Sequence, residues 1–560
     1  MSLKNWYELE PIPEETVQLA WKMSPKGTIA MHLRDALGPI YKDQDFSHLF
    51  GKWGRPAEAP ARLALITVLQ VIEGLSDRQA AHMAQIRVDW LYALSLAPGE
   101  GHFDFSVLSD FRQRLLEQGA QDLLLEPILQ VCRERGWLKE RGKQRTDATL
   151  VLARIRSLSS LESVGESIRS VLNSLAEHDP DWLLSHLDEG WFDRYVHRFE
   201  LARFPKEESK RQKLREDVGQ DAYALLSALE HPQTPPSLQS LGEVGLLRQI
   251  FEQHYQVRQG QAHWRDGPAV LNAERVLSPY DPDARSSRKR ETSWDGYKVH
   301  VTETCDQDPT RPHLVVQVHT AQATEDDSQR LPIIQQQARQ KGLVPKEHYV
   351  DQGYPSGAQV IEQRAQGTEI MGPVPAAGGW QAAEHTGYAA TDFQIDWEHQ
   401  QATCPQGQKS VAWVQSRDKR QQPTQQIRFS QQTCQGCPAK ADCTKGTQQG
   451  RTLNLPLQPV YEALQQRRAE QFTPAFLQRY AVRAGIEATI SQGVRGLGLR
   501  QTPYMGLQKT HGHHLAIAAG INLLRIEAHL QAQAQGKPTR PSRRRTPFAR
   551  FYETWKGNAA

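Results

Sequence analysis

The 560-residue chain is 38% hydrophobic and 23% charged, and its formal net charge at pH 7 is +3. A chain of this length exceeds what one hydrophobic core supports, so we expect three or four structural units. The near-neutral charge indicates no particular partner, and no apolar run reaches the length of a membrane helix. The start, MSLKNWYELEPIPEE, lacks the basic residues and apolar core of a signal peptide, which predicts a cytoplasmic protein.

The first 140 residues predict an all-helical domain. GRPAEAPARLALITVLQVIEG carries apolar residues at helical spacing and ends at Gly74. Ser76 and Gln79 then have the spacing of a capping box that begins the next helix. A helix, a short glycine-containing turn and a second helix are compatible with a DNA-binding helix-turn-helix, although most such pairs are simply packed helices.

The middle of the chain predicts an α/β unit whose first strand is separated from the others by a helical insert. RTDATLVL (145–152) has the pattern of a strand, with Asp147 near its start. Residues from about 158 to 265 are predicted to be helical apart from a loop at 231–237, and strand patterns return in GYKVHVTET and HLVVQVHTA. The order β-β-β-α-β-α-β up to EIMGPV predicts a mixed sheet flanked by helices.

The chain can therefore be divided into seven segments. They are a helical N-terminal domain, the first strand of the core, a helical insert with its connector, the continued core, a cysteine-containing insert, the C-terminal core helices and a basic tail, at residues 1–140, 141–157, 158–290, 291–379, 380–455, 456–532 and 533–560. Between Lys537 and Lys556 the tail has seven Lys or Arg residues and one Glu. Together with its prolines, this composition predicts a largely disordered tail that either contacts nucleic acid or aids solubility.

An acid stands at the end of a predicted strand in HYVDQGYPSG (348–357). The apolar approach leads directly to Asp351, and a Gly-Tyr-Pro-Ser-Gly turn follows. At the carboxyl end of a strand, a carboxylate faces the crevice in which α/β proteins bind ligands. The alternative is that Asp351 only begins the turn, because Asp and Gly both favour turns.

Another acid, Glu487, lies in the helix predicted for QRYAVRAGIEATISQ. Tyr480, Arg483 and Glu487 are spaced i, i+3 and i+7, so one helical face presents a phenol, a guanidinium and a carboxylate. The surrounding residues are mostly apolar, which predicts that this face packs against the core and that the carboxylate needs a compensating charge.

These motifs together resemble the bacterial insertion-sequence transposases of the DDE class, in the branch with a Tyr-x2-Arg-x3-Glu-x6-Lys signature. The resemblance extends over GRPAEAP, GLSDRQ and FDFSVLSDFRQRL near the N-terminus, SPYDPDARSS and WDGYKVH in the middle, and VDQGY around Asp351. It implies a ribonuclease-H-like core with Asp147, Asp351 and Glu487 as its three acids. The last signature position is Val494, so we assign its basic role to the neighbouring Arg495.

The resemblance also implies the chemistry. DNA cleavage and strand transfer are in-line displacements at phosphorus, in which two divalent ions activate the attacking oxygen and stabilise the leaving one. Three carboxylates suit Mg²⁺ or Mn²⁺, since hard cations take oxygen ligands. Arg483 would brace Glu487 or contact the scissile phosphate, and Tyr480 would donate to a phosphate oxygen. Without the family pattern, Asp147 would be a cap or a surface acid, with Asp295 and Asp306 as rivals.

The segment after the third acid, GVRGLGLRQTPYMGLQKTHGHH, is rich in glycine and in cations. Arg495, Arg500 and Lys509 suit phosphate contacts, and Tyr504 could stack on an unpaired base. The histidines at positions 511, 513 and 514 are predicted to cap the following helix rather than to bind metal.

Four of the six cysteines fall in the insert at 380–455. Cys404 is followed by Cys434, Cys437 and Cys443, the last three in the pattern C-x2-C-x5-C. The pattern predicts a structural Zn²⁺ site, and reduced thiols without a metal are the alternative. Cys132 and Cys305 are expected to be ordinary buried cysteines.

The resemblance implies double-stranded DNA as the partner, both the transposon ends and the target. It also implies a homodimer or higher assembly, because two ends must be brought together, and a bacterial cytoplasm in which the DNA-bound protein associates with the nucleoid. No membrane partner is expected, and the absence of a P-loop motif predicts no nucleotide cofactor. The alternatives are a DNA-binding regulator that has lost its chemistry and a ribonuclease-H-like metal-dependent nuclease.

Overall fold

The computed structural model describes residues 2–3, 11–155, 158–265, 267, 270–271, 273–376, 381, 387–418, 421–446 and 448–536. The predicted basic tail between Lys537 and Lys556 lies outside the described residues. In the described part of the chain, no helix is both long and apolar enough to cross a membrane.

Helices build the N-terminal region, as predicted. They are α1 (Glu14–Met23), α2 (Ile29–Leu37), α3 (Pro60–Glu73), α4 (Asp77–Ile86), α5 (Val88–Leu94), α6 (Ser106–Glu117) and α7 (Glu126–Glu134), with 3₁₀ turns at Asp43–Leu49 and Gln121–Leu124. Gly74 ends α3 with a left-handed φ of 66°. Ser76 and Gln79 form the predicted capping box at the start of α4, because each accepts a hydrogen bond from the other's backbone N–H.

The central sheet contains parallel and antiparallel strands. Strand β1 (Lys143–Leu152) is antiparallel to β5 (Thr292–Thr304) on one side and parallel to β7 (Glu347–Tyr349) on the other. The strands β4 (Arg285–Lys289) and β6 (Val315–Gln322) both pair with β5, and β8 (Glu369–Met371) is parallel to β7. The helices α14 (Asp327–Gln340) and α15 (Gly357–Ala365) connect the last strands. The predicted strands and helices occur in the predicted order, but β4 was not predicted, and with it the core resumes before the predicted boundary at residue 291.

The insert between β1 and β4 is mainly helical and has its own hydrophobic core. Its helices are α8 (Ser160–His178), α9 (Pro180–His186), α10 (Glu189–Tyr195), α11 (Glu208–Leu229), α12 (Pro236–Gln239) and α13 (Gly242–His254). The prediction of helix up to residue 265 was wrong at its end, where β2 (Tyr255–Arg258) and β3 (Gln261–Trp264) form a hairpin. Gln259 and Gly260 both have positive φ, which suits a two-residue turn that reverses a strand.

The cysteine-containing insert folds as small antiparallel sheets around a separate apolar cluster. It contains β9 (Gln394–Asp396), β10 (Gln401–Thr403), β11 (Ala412–Arg417), β12 (Pro423–Arg428), α16 (Gln431–Gln435), α17 (Lys440–Cys443) and β13 (Thr452–Pro456). The order of the larger of these sheets is β11-β12-β13.

The C-terminal helices return to the central sheet. They are α18 (Gln458–Glu470), α19 (Pro474–Tyr480), α20 (Ile486–Leu497) and α21 (Leu507–Ala534), with a 3₁₀ turn at Ala481–Gly485 between α19 and α20. Buried residues of α21 and of the N-terminal helices belong to the same hydrophobic cluster as Val299 and Val301 of β5. The N-terminal helices therefore share one core with the sheet.

Candidate active site

Asp147 lies in the middle of β1, where its Cα pairs with that of Val301 in β5. Its side chain is 16% exposed. One carboxylate oxygen accepts a hydrogen bond from the Ala148 amide at 2.8 Å, and the other accepts one from Nη2 of Arg483 at 2.6 Å. The carboxylate is thus held in place by the backbone on one side and by a guanidinium on the other.

The register of the parallel strands brings Asp351 beside Asp147. Lys143 pairs with Glu347 and Arg145 pairs with Tyr349, so the same register two residues further on aligns the two acids. Asp351 follows the end of β7, and its Oδ1 accepts a hydrogen bond from the Gly353 amide at 2.8 Å. Asp351 therefore begins a turn and also lies beside Asp147.

Arg483 contacts all three predicted acids. In addition to its bond to Asp147, its Nη2 lies 3.9 Å from Oδ2 of Asp351, and its Nη1 lies 3.6 Å from Oε1 of Glu487. The Glu487 side chain is 69% exposed, whereas that of Arg483 is 17% exposed. We call Asp147, Asp351, Glu487 and Arg483 the acid cluster. Three carboxylates against one guanidinium leave an excess of two negative charges in it.

The predicted continuous helix around Glu487 is interrupted. Tyr480 ends α19, the turn at Ala481–Gly485 is a 3₁₀ helix, and α20 begins at Ile486. The reason is a long-range hydrogen bond, since Nη1 of Arg145 donates to the Val482 carbonyl at 2.6 Å. In a regular α-helix, the Val482 carbonyl would accept a hydrogen bond from the Ile486 amide.

The hydroxyl of Tyr480 donates a hydrogen bond to the Val350 carbonyl at 3.0 Å, next to Asp351. Burial raises the pKa of Tyr480 to about 12. Tyr480 therefore fixes the backbone that carries the second acid, which differs from the predicted contact with a phosphate.

Burial raises the pKa of the Asp147 carboxyl, and the charge of Asp351 raises it further. Arg483, the Ala148 amide and Lys289 act in the opposite direction, but the pKa remains above its ordinary value. A buried carboxylate whose negative charge is not fully compensated is stabilised by a further positive charge nearby. Oxygen ligands with uncompensated negative charge fit a hard divalent cation. Among the described residues, however, no three acid, histidine or cysteine side chains are arranged as ligands of a common ion.

The structure brings one of the predicted cations close to the acids. Nε of Arg500 donates to Oγ1 of Thr149 at 2.8 Å, and Thr149 lies on the same face of β1 as Asp147. Arg495 and Lys509 are exposed, and no contact within the described residues links them to the acid cluster. Tyr504 is already engaged, because the guanidinium of Arg112 lies 5.7 Å from its ring centre.

The histidines were predicted to cap the last helix, and this prediction was wrong, because they lie inside α21. Helix α21 begins at Leu507, so the histidines fall in its second and third turns. Nδ1 of His514 lies 2.8 Å from Oγ1 of Thr320 in β6, and Nδ1 of His511 lies 3.2 Å from the same oxygen. Burial lowers the pKa of His511 and His513 to about 4, so these rings are neutral core groups.

The rival acids occupy other places. Both carboxylate oxygens of Asp306 accept from the Lys143 amide, at 3.2 and 3.3 Å, at the start of β1. Asp295 lies in β5 opposite Ser286 of β4. Neither acid joins the acid cluster in the described structure.

Sequence reasoning missed a second cluster on the same face of the sheet. Glu303 is fully buried and accepts hydrogen bonds from Nε of Arg145 at 2.7 Å and from Nη1 of Arg525 at 2.6 Å. Thr489 of α20 also donates to it, at 2.6 Å. We call Glu303, Arg145, Arg525 and Thr489 the Glu303 cluster. Its signal was present, because Glu303 falls in the apolar phase of GYKVHVTET with Tyr297, Val299 and Val301.

The four cysteines of the insert line one small cavity of about 40 Å³. The Gln408 amide lies 3.3 Å from Sγ of Cys404, and the Arg451 amide lies 3.5 Å from Sγ of Cys434. Burial and the three neighbouring thiols raise the pKa of Cys443, which Arg451 opposes. Cys132 and Cys305 are buried, as predicted, and burial raises the pKa of each to about 12.

Two family models each match a part of this chain. The family described as "Transposase DDE domain" matches residues 403–527, a stretch that contains Arg483 and Glu487. The family described as "Transposase domain (DUF772)" matches residues 22–114, which span most of the N-terminal helices. No curated protein matches the chain. Both matches are to transposase domains, and together they support an insertion-sequence transposase of the DDE class.

Proposed function

We propose that this transposase binds the terminal inverted repeats of its insertion sequence, cleaves the DNA at its ends and joins the ends to a target. The observation that carries the proposal is the convergence of Asp147, Asp351 and Glu487, from three separate elements, on one guanidinium. The strand order β6-β5-β1-β7-β8, with β5 antiparallel to its neighbours, supports a ribonuclease-H-like core.

Asp147, Asp351 and Glu487 would hold Mg²⁺ or Mn²⁺ in the active enzyme. Two such ions supply activation of the attacking oxygen and stabilisation of the leaving oxygen. Asp147 and Asp351 are fixed by backbone hydrogen bonds, so they provide rigid ligands. Glu487 is mostly exposed and would complete the set from helix α20. Arg483 already lies among the acids, and its fork geometry suits the scissile phosphate.

Double-stranded DNA is the proposed partner, and a homodimer or higher assembly would bring the two ends together in the bacterial cytoplasm. Helix α4 follows the glycine turn after α3 and exposes Arg78, Gln79 and His82. Side chains of these types donate and accept hydrogen bonds at base edges. The exposed face of α4 is therefore our proposed reader of the terminal repeats. Arg495, Arg500 and Lys509 would contact phosphates.

The experiment uses the gene with its native flanks as the DNA substrate. Purified protein would be incubated with it in Mg²⁺ or Mn²⁺, in parallel with Asp351→Asn, Glu487→Gln and the control Asp306→Asn, which alters an acid outside the cluster. We expect cleavage at fixed flanking positions by the wild type and the control, and none with EDTA or in the other two variants. Specific binding without cleavage would indicate a regulator, and metal-dependent cleavage at no preferred position would indicate a nuclease.

We also propose that Cys404, Cys434, Cys437 and Cys443 hold a structural Zn²⁺. The shared cavity and the N–H groups directed at two of the sulfurs support this set, since thiolate ligands suit Zn²⁺. Zinc content of the purified protein should be one ion per chain, and Cys437→Ser should lose it while Cys132→Ala retains it. Equal zinc contents in the wild type and Cys437→Ser would contradict the assignment.

A further inference from the structure

The β4–β5 hairpin carries three consecutive cations at its end. Arg288 and Lys289 close β4, and Arg290 begins the two-residue turn that leads to Thr292 of β5. All three are exposed. We call these three residues the basic hairpin tip. Within the described residues none of the three forms an ion pair, and their polar contact is Nε of Arg288 donating to the Arg290 carbonyl at 2.9 Å.

The hairpin is held firmly at its base. Gly296 of β5 has a φ of 147°, and a Cβ there would lie 2.3 Å from the Val151 carbonyl oxygen, so β5 passes very close to the end of β1. The Ala153 amide donates to the Asp295 carbonyl at 3.0 Å. Nε1 of the buried Trp294 donates to the Tyr297 carbonyl at 3.1 Å. The tip therefore projects from a fixed base as a two-stranded ribbon.

One residue of the tip, Lys289, lies close enough to the acid cluster to act on Asp147. Burial is the largest influence on the pKa of Asp147 and raises it, but Lys289 is close enough to lower it, as Arg483 does. Arg500 is bonded to Thr149 on the same face of β1. Lys289 and Arg500 therefore lie beside the acids, in addition to Arg483 within the acid cluster.

The turn retains an arginine where the backbone favours glycine. Arg290 has a φ of 57°, a left-handed conformation that a residue with a Cβ adopts at some energetic cost. Glycine would suit this turn position better.

We propose that Arg288, Lys289 and Arg290 form a phosphate-binding clamp that holds the DNA backbone next to the bond to be cleaved. The inference rests on the proposed function, and it names the surface that holds the substrate near the acids. Unpaired cations on a narrow, rigid ribbon fit a polyanion that passes along the protein surface. Duplex DNA carries one negative charge for about every 1.7 Å of its axis, and it binds such cations with release of counterions.

The test is the salt dependence of DNA binding. Fluorescence anisotropy with a labelled transposon end in EDTA would compare the wild type with the triple variant Arg288→Gln, Lys289→Gln, Arg290→Gln. The slope of log affinity against log salt concentration is negative, and each lost phosphate contact makes it shallower by about 0.9. We therefore expect the slope of the triple variant to be shallower by up to about 2.7. The matched control is Lys206→Gln, Lys210→Gln, Lys213→Gln, which removes the same charge from exposed sites around the start of α11.

An unchanged slope in the hairpin variant, or an equal loss in the control, would overturn the clamp. Failure of the transposase proposal would look different, because the wild type would then not cleave at the transposon ends even if the hairpin variant lost its salt dependence.

A single substitution separates the clamp from the folding of the hairpin. Arg290→Gly removes one cation and supplies the residue that the turn conformation favours. We expect the salt-dependence slope to become shallower by about 0.9 while the melting temperature stays constant or rises. A constant slope in this variant would also overturn the clamp.

Discussion

The acid cluster and the Glu303 cluster use the same groups in opposite proportions. The acid cluster sets three carboxylates against one guanidinium, at distances of 2.6, 3.6 and 3.9 Å. The Glu303 cluster sets one carboxylate between two guanidinium groups, at 2.7 and 2.6 Å. Glu303 is fully buried, whereas Glu487 is 69% exposed.

This difference separates a structural ion cluster from the proposed catalytic one. Burial by itself would raise the pKa of Glu303, but Arg525 and Arg145 outweigh it and the net pKa is lowered. The pKa of Asp147 is raised instead, because its burial is not fully compensated. The Glu303 cluster is complete as it stands, whereas the acid cluster has a negative charge that further cations would neutralise.

The two clusters are mechanically linked. Arg145 and Asp147 are two residues apart on β1, and Thr489 and Glu487 are two residues apart on α20. Arg145 also holds the Val482 carbonyl, next to Arg483. The Glu303 cluster is therefore placed to position the residues of the acid cluster.

The largest expected effect is on stability, and it should differ in size between the clusters. Glu303→Gln leaves two buried guanidinium groups without their counter-charge, so we expect the free energy of unfolding to fall by about 3–5 kcal/mol. Asp147→Asn removes a charge from a cluster with excess negative charge and should change the free energy of unfolding by less than about 1 kcal/mol. Urea unfolding at pH 7, followed by tryptophan fluorescence, measures both. Equal losses would remove the distinction drawn here.

Arg483→Gln should sharpen the comparison on the functional side. The variant loses a cation that contacts all three acids, so we expect DNA cleavage to fall about a hundredfold. Its affinity for Mn²⁺, measured by electron paramagnetic resonance, should rise, because the guanidinium no longer competes for the carboxylates. Arg479→Gln, on the neighbouring helix and paired with Glu369, is the control and should leave both quantities unchanged. A fall in Mn²⁺ affinity would show that Arg483 supports the metal site rather than competing with it.

Gly485→Ala tests the link between the clusters. A Cβ at this position would lie 2.0 Å from Nη1 of Arg145, whose guanidinium is fixed by Glu303 and by the Val482 carbonyl. We expect a loss of about 1–3 kcal/mol in the free energy of unfolding, together with slower DNA cleavage. Gly245→Ala in α13 meets no atom within 4 Å and serves as the control. It should be neutral or slightly stabilising, and similar losses in both variants would refute the link.

The smallest effect is the dependence of stability on pH. The lowered pKa of Glu303 means that its contribution is fully present above the pKa of the unfolded chain, about 4.3, and is lost as pH falls through the folded value. The stability difference between the wild type and Glu303→Gln should therefore shrink below pH 4.3, by at most about 1.4 kcal/mol per pH unit. Thermal unfolding between pH 3 and pH 7 would detect it, and a pH-independent difference would contradict the assignment.

Local sequence patterns were enough to predict most of the helices and strands, and the family resemblance named the three acids. Periodicity and capping residues gave the N-terminal helices and the start of α4, because these signals are local. Alternation gave the core strands, and the family motifs selected Asp147 over Asp295 and Asp306. The hairpin at Tyr255–Trp264 was missed because its two short strands follow a long helix without interruption.

Which charged side chains meet depends on packing between distant parts of the chain. Arg145 and Arg525 are 380 positions apart, and no local pattern predicts that both bind Glu303. The break in the helix before Glu487 depends on a hydrogen bond from β1, and the hydroxyl of Tyr480 is taken by the Val350 carbonyl. Lys289 of the basic hairpin tip acts on Asp147, although the two residues are 142 positions apart in the chain. Spacing along the chain fixes which residues share a face, but partners across the fold are set by packing.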